Sequence, residues 1–173
     1  MNITEYRIDK IQKDEMFEAL KFNDLEKMKS LIYSGYSINK DLVDDITPLM
    51  ISALFNLYDF VELLLNYGAD TNRKDIYKNN LLMYAAIHGS KELAEMIISR
   101  SKIQIDSKNL YGWSPLMFSI KFNNISFAKT LLENKANPNI GLLDGTSTLQ
   151  FCEEKNKHDT ALYNLLLEFE AKN

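Results

Sequence analysis

Four short blocks recur along this chain at nearly constant spacing: Thr47-Pro48-Leu49-Met50, Asn80-Leu81-Leu82-Met83, Ser114-Pro115-Leu116-Met117 and Ser147-Thr148-Leu149-Gln150. Their starts lie 33, 34 and 33 residues apart. Such a period belongs to one supersecondary unit copied and stacked, in which no copy buries its apolar face without a neighbour. The core of such a chain is a continuous strip between repeats, not a sphere.

A second echo follows each block. Leu63-Leu64-Leu65-Asn66-Tyr67-Gly68-Ala69-Asp70 answers to Leu131-Leu132-Glu133-Asn134-Lys135-Ala136-Asn137, with weaker copies at Leu31-Ile32-Tyr33-Ser34-Gly35 and Leu165-Leu166-Leu167-Glu168-Phe169-Glu170-Ala171. About five units follow, at residues 13–42, 43–75, 76–109, 110–142 and 143–173, the outer two degenerate. Residues 1–12 precede them as an arm or an extra turn of helix.

Within an inner unit the signals order as turn, first helix, second helix and loop. Thr47 and Ser114 are helix caps, followed by Pro48 and Pro115 at the first helical position, where a missing amide hydrogen costs nothing. Leu49, Met50, Ala53 and Leu54 then recur at helical spacing, and Gly68 supplies a left-handed stop to the second helix.

Several of these elements together resemble the ankyrin repeat family: Thr47-Pro48-Leu49, the pair Ala85-Ala86, His88-Gly89, and Gly68-Ala69-Asp70 with Asn72. The resemblance covers roughly residues 13–172. It implies an all-α ankyrin-repeat solenoid of helix-turn-helix units with short β-hairpin-like loops, and a partner-binding concave face made of hairpin tips and first helices. The chain departs from the pattern in two places. The family's His after Thr-Pro-Leu is replaced by Met50, Met83, Met117 and Gln150, so looser joints between repeats are expected. The hairpin glycine is kept at Gly112 and Gly145 but is Asp45 and Lys78 elsewhere, so the second and third hairpins are expected to differ in shape. The third copy also replaces its Gly-Ala-Asp tail with Ser101-Lys102-Ile103, so its exit loop should deviate.

Catalytic material is sparse. His88 and His158 lie in no nucleophile or ligand spacing, and Cys152 is the single cysteine, aligned with Ala85 and Ser119 in a small-residue position between helices. Asp41, Asp44 and Asp45 cluster in a loop, and Gly141-Leu142-Leu143-Asp144-Gly145 lacks the spacing and lysine of a phosphate loop. No enzyme, cofactor or metal is implied. With a formal net charge of −4 and no dense basic run, general attraction to nucleic acid is not expected. No apolar run approaches the length of a membrane span, and Met1 to Lys10 has no apolar core for a secretory signal. A cytoplasmic monomer is expected, with export as an effector left open and Phe169 leaving room for end-to-end association.

The positive signal lies at positions the repeat leaves variable. The end of the first helix reads Phe22, Phe55, His88, Phe122 and Lys155 down the copies, and the hairpin tips hold Ile76 and Tyr77, then Leu110, Tyr111 and Trp113. Exposed aromatics in a row are typical of recognition surfaces. The expected function is therefore non-catalytic binding of a protein or peptide by an apolar groove centred on Leu110, Tyr111, Trp113 and Phe122. Three further readings stay open at this stage. The Phe column could be plain core between first helices. The module could be a dedicated inhibitor or immunity protein of one toxin or enzyme. A small-molecule or enzymatic site would need a polar pocket at His88, flanked by Tyr77 and Phe122.

Overall fold

The computed structural model describes residues 3–155 and 160–170, with side chains from residue 10 onward; His158 lies outside the described residues. Among them run ten helices in five antiparallel pairs: α1 (Ile3–Lys21) with α2 (Leu25–Tyr33), α3 (Pro48–Leu54) with α4 (Tyr58–Asn66), α5 (Leu81–His88) with α6 (Lys91–Arg100), α7 (Pro115–Lys121) with α8 (Ile125–Glu133), and α9 (Thr148–Lys155) with α10 (Thr160–Glu170). α1 begins at Ile3, so residues 3–12 are continuous with the first helix. Extended pairing among the described residues is limited to a bridge between Val43 and Ile46.

Helices this short are marginal alone, and their ends and neighbours hold them. Thr47, Asn80 and Ser114 accept the amides of Met50, Met83 and Met117 at 3.3, 3.0 and 3.4 Å. Ser147 and Gln150 form a reciprocal capping box, each side chain accepting the other's backbone N–H. α2, α4 and α8 close with paired reverse bonds, as where Gly68 N donates to Leu65 O and Ala69 N to Leu64 O. α6 does not: Ser101 leaves it fully extended, which is the deviation its tail predicts.

First helices pack on first helices and second on second, α1–α3–α5–α7–α9 beside α2–α4–α6–α8–α10. α5, flanked by α3 and α7, is apolar nearly all round, and Leu81, Leu82, Met83, Ala85 and Ala86 are buried. Met50, Met83 and Met117 occupy the family's His positions as buried apolar filler. Polar joints come from elsewhere: Asn124 Nδ2 donates to Ala86 O and Gly89 O, and Asn56 Oδ1 accepts from Ser90 N. Cys152 is buried in the position that Ala85 and Ser119 fill in other copies.

The hairpins correct one expectation. In the third, fourth and fifth, the opening residue (Asp75, Asn109, Leu142) donates to the residue four on and accepts from the residue three on, which is Lys78, Gly112 or Gly145 in left-handed conformation. Lys78 adopts φ 64° like the glycines, because the shared hydrogen-bond frame outweighs a local cost of about 1–2 kcal/mol. The second hairpin alone differs, with Asp44 and Asp45 both left-handed and Ile46 N donating to Val43 O.

Candidate protein-binding surface

The surface is built on a buried carboxylate. Asp75 opens the third hairpin, and its Oδ1 accepts the backbone N–H of Tyr77 (2.9 Å) and of Asn79 (2.7 Å). Its Oδ2 accepts Asn79 Nδ2 (2.8 Å) and the Tyr84 hydroxyl (2.7 Å) from α5. Burial, the bond to Asp75 and the nearby Asp44 charge push the Tyr84 hydroxyl far above its ordinary pKa, so it stays a proton donor. Asn109 repeats the design one hairpin on: its Oδ1 accepts from Tyr111 N (3.0 Å) and Trp113 N (2.9 Å). The hairpins are then joined, since Asn109 Nδ2 donates to Asn79 Oδ1 (2.8 Å) and Leu110 N to Tyr77 O (2.9 Å).

This ladder holds the aromatic tips in register. Tyr77 and Tyr111 stack at 6.2 Å with 27° between ring planes. Trp113 is half-buried rather than free at its tip, because Phe118 of α7 and Phe151 of α9 meet it edge-on at 5.6 and 5.3 Å. Phe118 continues to Phe122 at 6.3 Å. Lys121 lays its ammonium over Trp113 (4.6 Å) and Phe122 (5.4 Å). Between these groups opens a cleft of about 350 Å³ lined by Tyr77, Asn79, Asn109, Tyr111, Trp113, Phe118 and Lys121.

The residues expected from sequence divide into separate places. Tyr77, Tyr111 and Trp113 meet in the cleft, and Phe122 adjoins it through Phe118 and Lys121. Ile76 and Leu110 are exposed on the same hairpins but line no part of it. Phe22 and Phe55 lie exposed at 68% and 62%, which overturns the reading of that column as core. Phe55 instead edges a second groove, of about 390 Å³, between α1 and α3 with Phe17, Leu20, Ile51 and Leu57. His88 is exposed at the end of α5 and lines neither cavity.

Sequence reading missed Phe118, Phe151, Lys121 and the two anchors Asp75 and Asn109. A signal was present: Asp75-x-Tyr77-x-Asn79 and Asn109-x-Tyr111-x-Trp113 repeat an Asx-led tip in adjacent copies, where the other hairpins begin with Leu42 and Leu142. A second column, Ile51, Tyr84, Phe118 and Phe151, sits four residues before the Phe column, and its last three members meet the hairpins, Tyr84 through Asp75 and the two Phe rings through Trp113. Chemically the cleft offers ring faces, two amides already engaged and one ammonium. It contains no carboxylate, imidazole, thiol or hydroxymethyl group. Among the described residues no group of three or more His, Cys, Asp or Glu could hold a metal, and no helix is long and apolar enough to cross a membrane.

Residues 16–109 match the family of ankyrin repeats (3 copies), and residues 111–141 match a further ankyrin repeat. This chain belongs to the ankyrin repeat family. An ankyrin repeat protein of fowlpox virus (strain NVSL) is 31% identical over 138 residues, covering 78% of this chain and 40% of the viral protein. The ankyrin repeat protein YahD of Escherichia coli (strain K12) is 24% identical over 139 residues, 78% of this chain and 69% of its own. Ankyrin repeat and SAM domain-containing protein 6 of Rattus norvegicus is 28% identical over 103 residues, 58% of this chain and 12% of its own. The chain thus spans less than half the length of the fowlpox relative. Ankyrin repeats are a general protein–protein interaction module, and the family is generally non-catalytic. The last ankyrin pair, α9 and α10, lies beyond the matched residues yet packs on α7 and α8 in the same two layers.

Proposed function

We propose that this chain is a non-catalytic recognition module that binds one protein or peptide at the aromatic cleft formed by the third and fourth hairpins and α7. The observation that carries this reading is the Tyr77–Tyr111 stack beside Trp113, kept partly open to solvent by a ladder of engaged side chains. Burying a side chain of that size contributes on the order of 2 kcal/mol, so a few such contacts offset the cost of association. The tips are pre-ordered by Asp75 and Asn109, which reduces what a partner must spend on fixing them. In this reading the module acts as a monomer in a reducing compartment, with Cys152 a packing residue and not a reactive one.

Site-specific photo-crosslinking tests it. A photoreactive residue at position 111 should trap a discrete partner from source cells, while the same residue at exposed Tyr58 on α4 should not. Tyr77→Ser/Tyr111→Ser should lose that partner with its helical melting intact. Equal trapping from position 58, or retention by the folded double variant, would move binding away from the cleft.

A further inference from the structure

We infer that the segment this cleft recognises is acidic: a peptide stretch whose large apolar side chain lies against Trp113 and Tyr111 while a neighbouring carboxylate meets Lys121. The inference rests on the cleft being the recognition surface and adds the chemistry of what enters it.

Charge carries the argument. The chain holds 24 Asp and Glu against 20 Lys and Arg, yet no residue lining the cleft is acidic. The carboxylate behind it, Asp75, is buried and spends both oxygens on four donors of its own chain. Several cations of the chain pair with acids: Lys13 with Asp41, Lys27 with Glu18, Lys91 with Glu95 and Arg100 with Glu62. Lys121, in the cleft, does not pair with an acid among the described residues. Its exposed ammonium rests on the faces of Trp113 and Phe122. Lys155 repeats the arrangement one unit on, 5.7 Å over the Phe151 ring that itself meets Trp113.

An ammonium on an aromatic face is partly stripped of water but keeps unused donors pointing outward. A carboxylate arriving there gains a charge-assisted bond in a half-dry setting, where it is worth more than at an open surface. A cationic partner would face Lys121 with no acid to receive it, so the cleft selects against basic segments as well as for acidic ones. The helix C-terminus accounts for a lysine at this end of α7. It does not account for a cleft wall without acids in a chain where they outnumber bases.

The test is a selection of random short peptides, displayed on phage, against the full chain. Affinities of an enriched peptide are then measured for wild type, Lys121→Glu, Lys121→Arg and Tyr77→Ser/Tyr111→Ser, each checked by circular dichroism melting. Enriched peptides should carry Asp or Glu beside Trp, Phe or Leu. Lys121→Glu should weaken them about tenfold or more, Lys121→Arg should hold affinity, and added salt should weaken binding to wild type. Replacing the peptide's own carboxylates with amides should reproduce the Lys121→Glu loss without altering the protein, so a misfolded variant cannot decide the result.

Peptides that need Tyr77 and Tyr111 but ignore Lys121 and their own carboxylates would overturn the acidic chemistry and leave the cleft as the binding surface. Peptides bound equally by the tip variant would overturn both. Enrichment of basic peptides, or of none, would overturn the inference.

Discussion

The Tyr84 hydroxyl donates to Oδ2 of Asp75 at 2.7 Å, tying the first helix of the third repeat to the hairpin that carries Tyr77. A buried carboxylate with four donors tolerates the loss of one poorly, because the others cannot follow the vacated lone pair.

Tyr84→Phe is therefore expected to lower stability by about 1–3 kcal/mol in urea unfolding at neutral pH. Its pH dependence has a defined sign. The folded hydroxyl binds its proton more tightly than the unfolded one, so its contribution is complete below pH about 10 and is lost as pH rises above that value. Between neutral and strongly alkaline pH, wild type should lose more stability than Tyr84→Phe, and parallel curves would contradict the account.

Asn124 does two tasks. Its Oδ1 accepts from Phe127 N as the cap of α8, and its Nδ2 donates to Ala86 O and Gly89 O of the preceding repeat. Asn124→Ala should cost about 2 kcal/mol, and Asn124→Asp should restore the cap but not the joint. Thermal melting of the three proteins should place Asp between Asn and Ala.

Two backbone positions should respond in opposite directions. A Cβ on Gly89 would stand 2.3 Å from Ala85 O and 3.1 Å from the Phe127 ring, so Gly89→Ala should lose about 1–3 kcal/mol. Lys78 occupies a left-handed conformation at φ 64°, so Lys78→Gly should gain about 0.5–1 kcal/mol, the relief of Cβ strain less the added chain entropy. Denaturant midpoints measure both, and a destabilised Lys78→Gly would mean that the lysine side chain supports the tip.

Cys152 lies on the buried face of α9 and forms no disulfide. Its thiol should react with an aromatic disulfide reagent only as fast as α9 opens, and fully upon unfolding. Cys152→Ala should cost about 1 kcal/mol, since Ala85 already fills the equivalent position. A rapid native-state reaction would show an exposed thiol.

Much of this protein was readable because its signals are local. The caps Thr47, Asn80 and Ser114 act on amides three residues away, Gly35 and Gly68 stop helices at their own positions, and the period repeats each signal several times. The Phe column was legible as a variable position, but whether it was core or surface was decided only by the structure, where Phe22, Phe55 and Phe122 are exposed. The site was legible only in part. Trp113 is half-covered by Phe151 of the next unit, a contact that single-copy periodicity cannot show. Phe22 and Phe55 share a column with Phe122, yet Phe55 faces a separate groove against α1.

By itself the amino-acid order determined the repeat, its helix pairs, their ends and the family, since those depend on hydrophobic spacing and on bonds made within a few residues. Only the stacked structure decided that Lys78 is held left-handed, that Asp75 and Asn109 link two hairpins, and that Lys121 rests on Trp113 without an acid. These outcomes rest on contacts between repeats, where packing and the need to satisfy buried polar groups outweigh the preference of any single residue.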